Sequence, residues 1–221
     1  MDWQALSLSL QLAAVTLAIL LPAGLCLGRW LAYTAFTGKA WIEARVVLPL
    51  VLPPTVLGYY LLSSLGSASP LGAWVAQAFN LRLTFNFLGL VLASIVFNVP
   101  FLVQPVQRAF EAIPRQLGEA AAVSGLNGWQ TFWRVELPLA WPGVLSAMVL
   151  TFVHTLGEFG VVLMIGGSIP GETKTIAIAI YDRVQAFDLT AANHMALLLV
   201  VLSLGAVASS LFASTRLTAR R

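Results

Sequence analysis

Charged residues are scarce in this 221-residue sequence, and only one cysteine is present. Asp, Glu, Lys and Arg together make up 10% of the residues, against about 25% in ordinary soluble domains. Hydrophobic residues make up 59%, and the mean hydropathy is +0.87. This composition excludes a soluble globular domain, and it excludes a disordered chain, which needs low hydrophobicity and high charge. A single cysteine excludes an intrachain disulfide, and a net charge of +3 scattered along the chain provides no basic patch for nucleic acid.

Long apolar segments separate the few charged residues and predict a polytopic membrane protein. A helix needs about 20 apolar residues to cross the hydrocarbon core, and the backbone there must be helical because lipid satisfies no peptide hydrogen bond. Five full spans are predicted, at residues 6–28, 46–65, 86–106, 138–158 and 192–213. Residues 159–169 are apolar but too few to cross, so they predict a re-entrant or half-spanning segment buried by protein. The predicted fold is an all-α integral membrane bundle, with residues 1–221 as a single domain.

The distribution of Lys and Arg predicts the orientation, because cytoplasmic loops carry an excess of these residues. Nine of the twelve fall in one set of loops: Arg29, Lys39, Arg45, Arg108, Arg115, Arg134, Arg216, Arg220 and Arg221. The other set of loops holds Arg82, Lys174 and Arg183. The first set is therefore predicted to be cytoplasmic, which places the N-terminus outside and the C-terminus inside.

The longest cytoplasmic loop, residues 107–137, has a sequence typical of two short helices joined by a tight turn. Gly125 fits the left-handed position that follows a helix end. Asn127 fits the cap of a second helix, which is expected to end before Pro138. Leu126 is then expected to be exposed at the corner, and an apolar residue held there predicts a partner that buries it.

This loop resembles the EAA loop of ATP-binding-cassette (ABC) importer permeases. The residues that carry the resemblance, together with the corner residue, are Glu119, Ala120, Ala121, Gly125, Leu126, Leu137 and Pro138. In that family the loop is a coupling helix that docks in a cleft of a separate ATPase subunit. The resemblance extends across the whole chain, and it implies the transmembrane bundle of a type I importer.

Three further segments resemble the oxyanion branch of this family, and most of all its molybdate and tungstate permeases. They are residues 48–59, 156–160 and 169–175. Sulfate permeases share the Gly-Glu-Phe-Gly element within residues 156–160 but match residues 169–175 less well. The resemblance therefore implies import of molybdate or tungstate across the cytoplasmic membrane, with a sulfate or thiosulfate permease as the alternative.

The resemblance also implies the partners. They are a second permease copy, two cytoplasmic ATPase subunits and an extracytoplasmic oxyanion-binding protein. A homodimer would place the path on its twofold axis, and a heterodimer with a related permease is the alternative. We expect no cofactor or metal on this chain and no catalytic residue. ATP use is expected on the partner, because the nearest approach to a G-x-x-x-x-G-K-[ST] phosphate loop runs from Gly166 to Gly171 and continues with Glu172.

Two other classes of membrane protein require features that are scarce in this sequence. An ion-coupled secondary transporter would need ionisable residues at mid-membrane, and the five predicted spans contain almost none. A membrane-embedded enzyme would need a nucleophile with its base, or clustered metal ligands. His154 and Glu158 have metal-compatible spacing, but two ligands do not make a metal site.

The fourth predicted span carries a polar stripe, formed by Thr151, His154, Thr155 and Glu158 on one helix face. Such groups are costly against lipid, so the stripe is predicted to face the translocation path, where hydroxyls and a neutral imidazole would solvate an oxyanion weakly. The alternative is a set of interhelical hydrogen bonds that only hold the bundle. Because the spans lack Lys and Arg, selectivity is expected to reside in the binding protein.

Overall fold

The computed structural model describes residues 1–219, and its regular structure is helical. The helices are α1 (Trp3–Tyr33), α2 (Lys39–Val51), α3 (Pro54–Leu65), α4 (Pro70–Phe79), α5 (Phe87–Glu111), α6 (Arg115–Val123), α7 (Gly128–Thr131), α8 (Leu137–Gly157), α9 (Gly160–Gly166), α10 (Ile176–Gln185) and α11 (Leu189–Ala219). A five-residue π-helical turn, Phe132–Glu136, joins α7 to α8 and is called the π-turn below.

Four helical segments within residues 1–219 are long and apolar enough to cross a membrane unbroken. They are α1, α5, the continuous helix Gly128–Gly157, and Leu189–Ser214 of α11. A fifth candidate is broken, because α2 and α3 pass the same test only together and their directions differ by 108°. The fold is therefore an all-α membrane bundle, and its described residues include four helices long enough to span unbroken and a fifth, bent candidate.

The break between α2 and α3 lies inside the second predicted span, residues 46–65, and two prolines cause it. Pro53 and Pro54 have no amide hydrogen to donate, so the hydrogen-bond ladder of α2 ends with the Leu52 N–H donating to the Leu48 carbonyl. Pro54 then occupies the first turn of α3, where a missing amide hydrogen costs nothing. The second predicted span is thus two helices, separated at these prolines.

A second break separates α8 from α9. The Thr155 side chain near the end of α8 contacts Asn98 on α5, and Asn98 lies eleven residues, about 16 Å, from the start of α5. Helix α9 runs from this level to the start of α5, since its Ile165 carbonyl accepts a hydrogen bond from the N–H of Phe85, just before α5, at 2.9 Å. Residues 160–166 are therefore a half-length helix that continues the direction of the fourth span, and protein buries its Val161 and Ile165.

Helices α1 and α5 pack closely against each other near the end that carries residues 112–127. A Cβ atom added to Gly24 would lie 2.6 Å from the Leu102 side chain, and one added to Gly28 would lie 2.7 Å from Val106. Small residues spaced four apart let two membrane helices approach closely. The same end of the bundle has an apolar core that includes Leu102, Val106 and Phe110.

Two long-range contacts show which loops share an end of the bundle. At one end, Arg29 near the end of α1 pairs with Glu136 in the π-turn. At the other end, the Ile176 N–H donates a hydrogen bond to the Ser9 hydroxyl near the start of α1. The end that includes residues 112–127 is thus the one to which the Lys and Arg count assigns the cytoplasm.

Candidate coupling loop and membrane pathway

The turn at the end of α6 is built around Gly125, as the sequence predicts. Gly125 has a φ of +80°, a left-handed conformation that favours glycine. The Leu126 N–H donates to the Ala121 carbonyl, and the Gly125 N–H donates to the Ala122 carbonyl, both at 3.0 Å. This pair of hydrogen bonds is the Schellman motif, which satisfies carbonyl groups that a helix end would otherwise leave unpaired.

The second helix of the loop begins where the sequence predicts but does not end before Pro138. Asn127 and Gln130 form a reciprocal capping box at its start. The helix then continues through the π-turn, in which the Leu137 N–H donates to the Phe132 carbonyl five residues earlier. Pro138 lies in the first turn of α8, and the shift to π-helical bonding lets the chain stay helical across a residue that lacks an amide hydrogen.

The residue most exposed at the corner is Val123, and Leu126 is only partly exposed. The Val123 side chain is 90% exposed, whereas Leu126 is half-buried. A Schellman turn folds the residue after the glycine back over the last turn of the helix. This contact explains why the Leu126 side chain is partly shielded from solvent. Trp129, at the start of α7, adds a second large exposed apolar side chain.

The other predicted loop residues divide into exposed and buried positions. Ala121 and Leu137 are buried, at 4% and 8% exposure. Glu119, Ala120 and Pro138 are exposed. Ala121 and Leu137 therefore hold the loop together from inside, and Glu119 and Ala120 are on the side open to a partner.

Two residues of the polar stripe, Thr151 and Thr155, are buried against other helices. Asn98 on α5 donates hydrogen bonds to the Ser94 carbonyl and the Thr155 hydroxyl, both at 2.9 Å. Thr155 in turn donates to the Thr151 carbonyl at 2.8 Å. Both threonine side chains are at most 2% exposed. Within the chain, Thr155 makes an interhelical hydrogen bond of the kind that the alternative interpretation describes, whereas the Thr151 hydroxyl has no hydrogen-bond partner among the described residues.

His154 and Glu158 lie beside a small pocket where the two broken helices meet. The pocket has a volume of 100 Å³ and is also lined by Pro49, Leu52, Pro54 and Phe97. His154 stacks on Phe101 with ring centres 3.7 Å apart. Its Nδ1 lies 3.2 Å from Asn98 Oδ1, and since that carbonyl oxygen can only accept, Nδ1 carries the hydrogen. Glu158 accepts a hydrogen bond from the Val161 N–H at 2.9 Å, which caps the first turn of α9.

The two buried threonines give a matched pair of substitutions. We expect Thr155→Val to lower the free energy of unfolding by about 1 kcal/mol, because it removes the interhelical bond to Asn98. Thr151→Val should be neutral or stabilising, since within the described residues its hydroxyl has no hydrogen-bond partner. Thermal unfolding in detergent measures both. Equal stability of the two variants, with an equal loss of transport, would instead place both side chains on the path.

Two polar residues at these sites have no assigned role in the sequence interpretation. Asn98 joins α5 to both His154 and Thr155, and the only signal for it was a lone amide in an apolar span. Glu136 is 7% exposed and pairs with Arg29, which is 107 residues away in the chain. Since no local pattern marks so distant a pairing, the sequence alone gave no sign of it.

The fold and the loop together are those of a membrane component of ABC importers. The family of binding-protein-dependent transport system inner membrane components matches residues 24–221. The chain belongs to this family. Its fold is that of type I ABC importer transmembrane domains, and it is similar to a bacterial ABC transporter that imports the acidic polysaccharide alginate, with a TM-score of 0.78, 20% identity, and coverage of 96% of this chain and 78% of that one.

The sequence relatives are transport permeases. The molybdenum transport system permease protein ModB of Azotobacter vinelandii is 48% identical over 88% of this chain and 86% of its own. ModB of Escherichia coli K12 is 38% identical over 83% of this chain and 80% of its own. The sulfate transport system permease protein CysT of Escherichia coli K12 is 34% identical over 76% of this chain and 61% of its own.

Proposed function

We propose that the chain is the permease subunit of an ATP-driven importer that moves molybdate or tungstate across the cytoplasmic membrane. In this assembly two copies of the chain form the path, and two ABC ATPase subunits bind the cytoplasmic loops. A separate extracytoplasmic protein binds and delivers the oxyanion. The chain itself hydrolyses no ATP and conducts the anion through a path that opens and closes.

The single observation that carries the proposal is the construction of the loop between α5 and α8. A left-handed glycine holds two short helices at a corner, and Val123 and Trp129 are exposed there at 90% and 70%. Exposed apolar side chains of this size at the end of a membrane bundle are typical of a surface that a protein partner covers. The sequence identity to ModB proteins supports molybdate or tungstate as the substrate.

The pocket between the broken helices is the proposed constriction of the path. It lies beside Asn98 near the middle of α5, and it is lined mainly by apolar and aromatic side chains with His154 and Glu158. Such a lining offers an oxyanion weak solvation and no cationic partner, which suits passage better than retention. Thr155 supports this wall from behind through its hydrogen bond to Asn98.

The proposed orientation has the N-terminus outside and the C-terminus in the cytoplasm. The excess of Lys and Arg at the end of the bundle that carries residues 112–127 supports it. We expect a reporter enzyme fused before Asp2 to be active only outside the cytoplasm, and one fused after Arg221 only inside. A cytoplasmic N-terminal reporter would reverse the assignment of every loop.

Transport in liposomes tests the function. The chain is reconstituted with its native ATPase and binding protein, and uptake of molybdate, tungstate and sulfate is measured. We expect molybdate or tungstate uptake that requires ATP and survives collapse of ion gradients. Preferred uptake of sulfate would make the chain a sulfate permease. Uptake that needs an ion gradient but no ATP would make it a secondary transporter.

A further inference from the structure

Glu136 is a buried carboxylate between the cytoplasmic loop and the membrane helices, and the proposed function gives it no role. It accepts two hydrogen bonds from Arg29, from Nε to Oε2 at 2.5 Å and from Nη2 to Oε1 at 3.1 Å. The side chain of Glu136 is 10% exposed and that of Arg29 is 36% exposed. A two-point contact between guanidinium and carboxylate fixes both the distance and the orientation of the partners.

Arg29 is held firmly on its own side of this contact. Its guanidinium carbon lies 5.5 Å from the centre of the ring of Tyr33, which belongs to the same helix α1. It also lies 5.6 Å from the ring of Phe132, the first residue of the π-turn, so this second contact joins Arg29 to the loop side. The preceding residue, Gly28, packs against Val106 so closely that an added Cβ would lie 2.7 Å away. Arg29 is therefore fixed to the packed pair of helices α1 and α5.

Glu136 lies on the loop side of the contact, because it is the last residue of the π-turn. Among the helices, α6 makes most of its contacts with α7 and with this turn. A π-turn interrupts the regular α-helical ladder, and such turns recur at functional sites. The position of the π-turn therefore sets the position of α6 and α7.

Clefts on both sides of Glu136 leave the ion pair as a bridge between the loop and α1. One cleft of 480 Å³ lies between Trp30 of α1 and Trp129 of α7. A second cleft of 350 Å³ lies between Tyr33 of α1 and Glu119 of α6. Glu136 lines both clefts, so the pair joins the two sides where apolar packing is interrupted.

We propose that the Arg29–Glu136 pair positions the cytoplasmic loop against α1 and passes displacement of the loop to the α1–α5 helix pair. The inference rests on the proposed function, because the displacement is the one that an ATPase bound to the loop would cause. Both are positioning residues and contact no substrate. Loss of the pair should leave the ATPase bound but its hydrolysis poorly linked to transport.

Hydrogen exchange on the purified permease in detergent tests the positioning step without any ATPase. Glu136→Gln keeps the size of the side chain and removes its charge, and Arg29→Lys keeps the charge and removes the two-point contact. We expect faster amide exchange in residues 112–136 for Glu136→Gln, a smaller increase for Arg29→Lys, and unchanged exchange in the remaining helices. Arg108→Gln, which breaks an exposed pair with Glu111 at the same end of the bundle, is the control. Unchanged loop exchange in both variants overturns the proposal, whatever the chain transports.

The second measurement is the amount of molybdate transported per ATP hydrolysed by the complete complex in liposomes. We expect Glu136→Gln to lower this ratio about two- to thirtyfold, the usual range for residues that carry coupling between sites, with normal co-purification of the ATPase. Uptake and hydrolysis that fall together, with the ratio unchanged, would mean a purely structural pair and overturn the proposal. Absence of ATP-dependent uptake in the wild-type complex would contradict the proposed function instead, and the exchange experiment would then decide the role of the pair.

Discussion

Gly125→Val is expected to reduce coupled transport strongly while leaving the membrane bundle intact. Gly125 has a φ of +80°, and a β-branched residue forced into that conformation costs about 1–3 kcal/mol. No other atom lies within 4 Å of an added Cβ, so the penalty comes from the backbone and not from packing. The turn would open and move Val123, and coupling to the ATPase should fall about 5- to 150-fold. ATPase pull-down and substrate-stimulated ATP turnover in liposomes measure the loss.

Gly38→Val is the matched control for this experiment. Gly38 has a φ of +104° and open space around its Cβ position, and it lies in the loop between α1 and α2 at the same end of the bundle. The backbone penalty is therefore of the same kind in a different loop. We expect Gly38→Val to bind and stimulate the ATPase like the wild type. If both variants lose coupling equally, or if Gly125→Val loses none, the loop between α5 and α8 is not the docking site.

The sequence predicts the long helices well, because the ability of a segment to span the membrane depends on the length and hydropathy of that segment alone. Helices α1, α5, α8 and α11 each contain a long apolar segment that is free of charged residues. The prolines also mark the break between α2 and α3. The 108° change of direction is set by tertiary packing, in which α3 lies against α9 about one hundred residues later in the chain. Hydropathy has no information about that contact, so the size of the bend cannot be predicted from the sequence.

The same distinction between local and distant contacts explains which features of the candidate site can be predicted from the sequence. The left-handed conformation of Gly125 and the cap at Asn127 are properties of neighbouring residues, and both were predictable. The partial burial of Leu126 follows from the fold-back after the glycine, which the apolar character of the residue does not predict. The stripe residue Thr155 bonds to Asn98 across 57 residues, so its burial depended on a pairing that periodicity along one helix cannot reveal.

Gly58→Leu is expected to block transport by separating the two half-length helices. A Cβ atom on Gly58 would lie 2.8 Å from the Met164 Cβ and 3.3 Å from the Val161 Cα on α9. Since the Val161 contact is with backbone, helix α3 has to move as a whole, and overpacking of this kind costs about 1–3 kcal/mol. The movement would deform the pocket beside His154 that is the proposed constriction. Uptake in liposomes should fall, while the ATPase still binds because the loop at residues 112–136 is at the other end of α5.

Gly205→Leu is the control for side-chain size, because Gly205 lies in the apolar helix α11 with nothing within 4 Å of its Cβ position. We expect this variant to transport like the wild type. A smaller substitution, Gly58→Ala, should give a defect between those of the wild type and Gly58→Leu, since only the Cβ itself meets Met164 and Val161. If Gly58→Leu transports normally with normal thermal stability, the contact between α3 and α9 does not shape the path. The constriction would then have to lie elsewhere, with the interface between two copies of the chain as the next region to test.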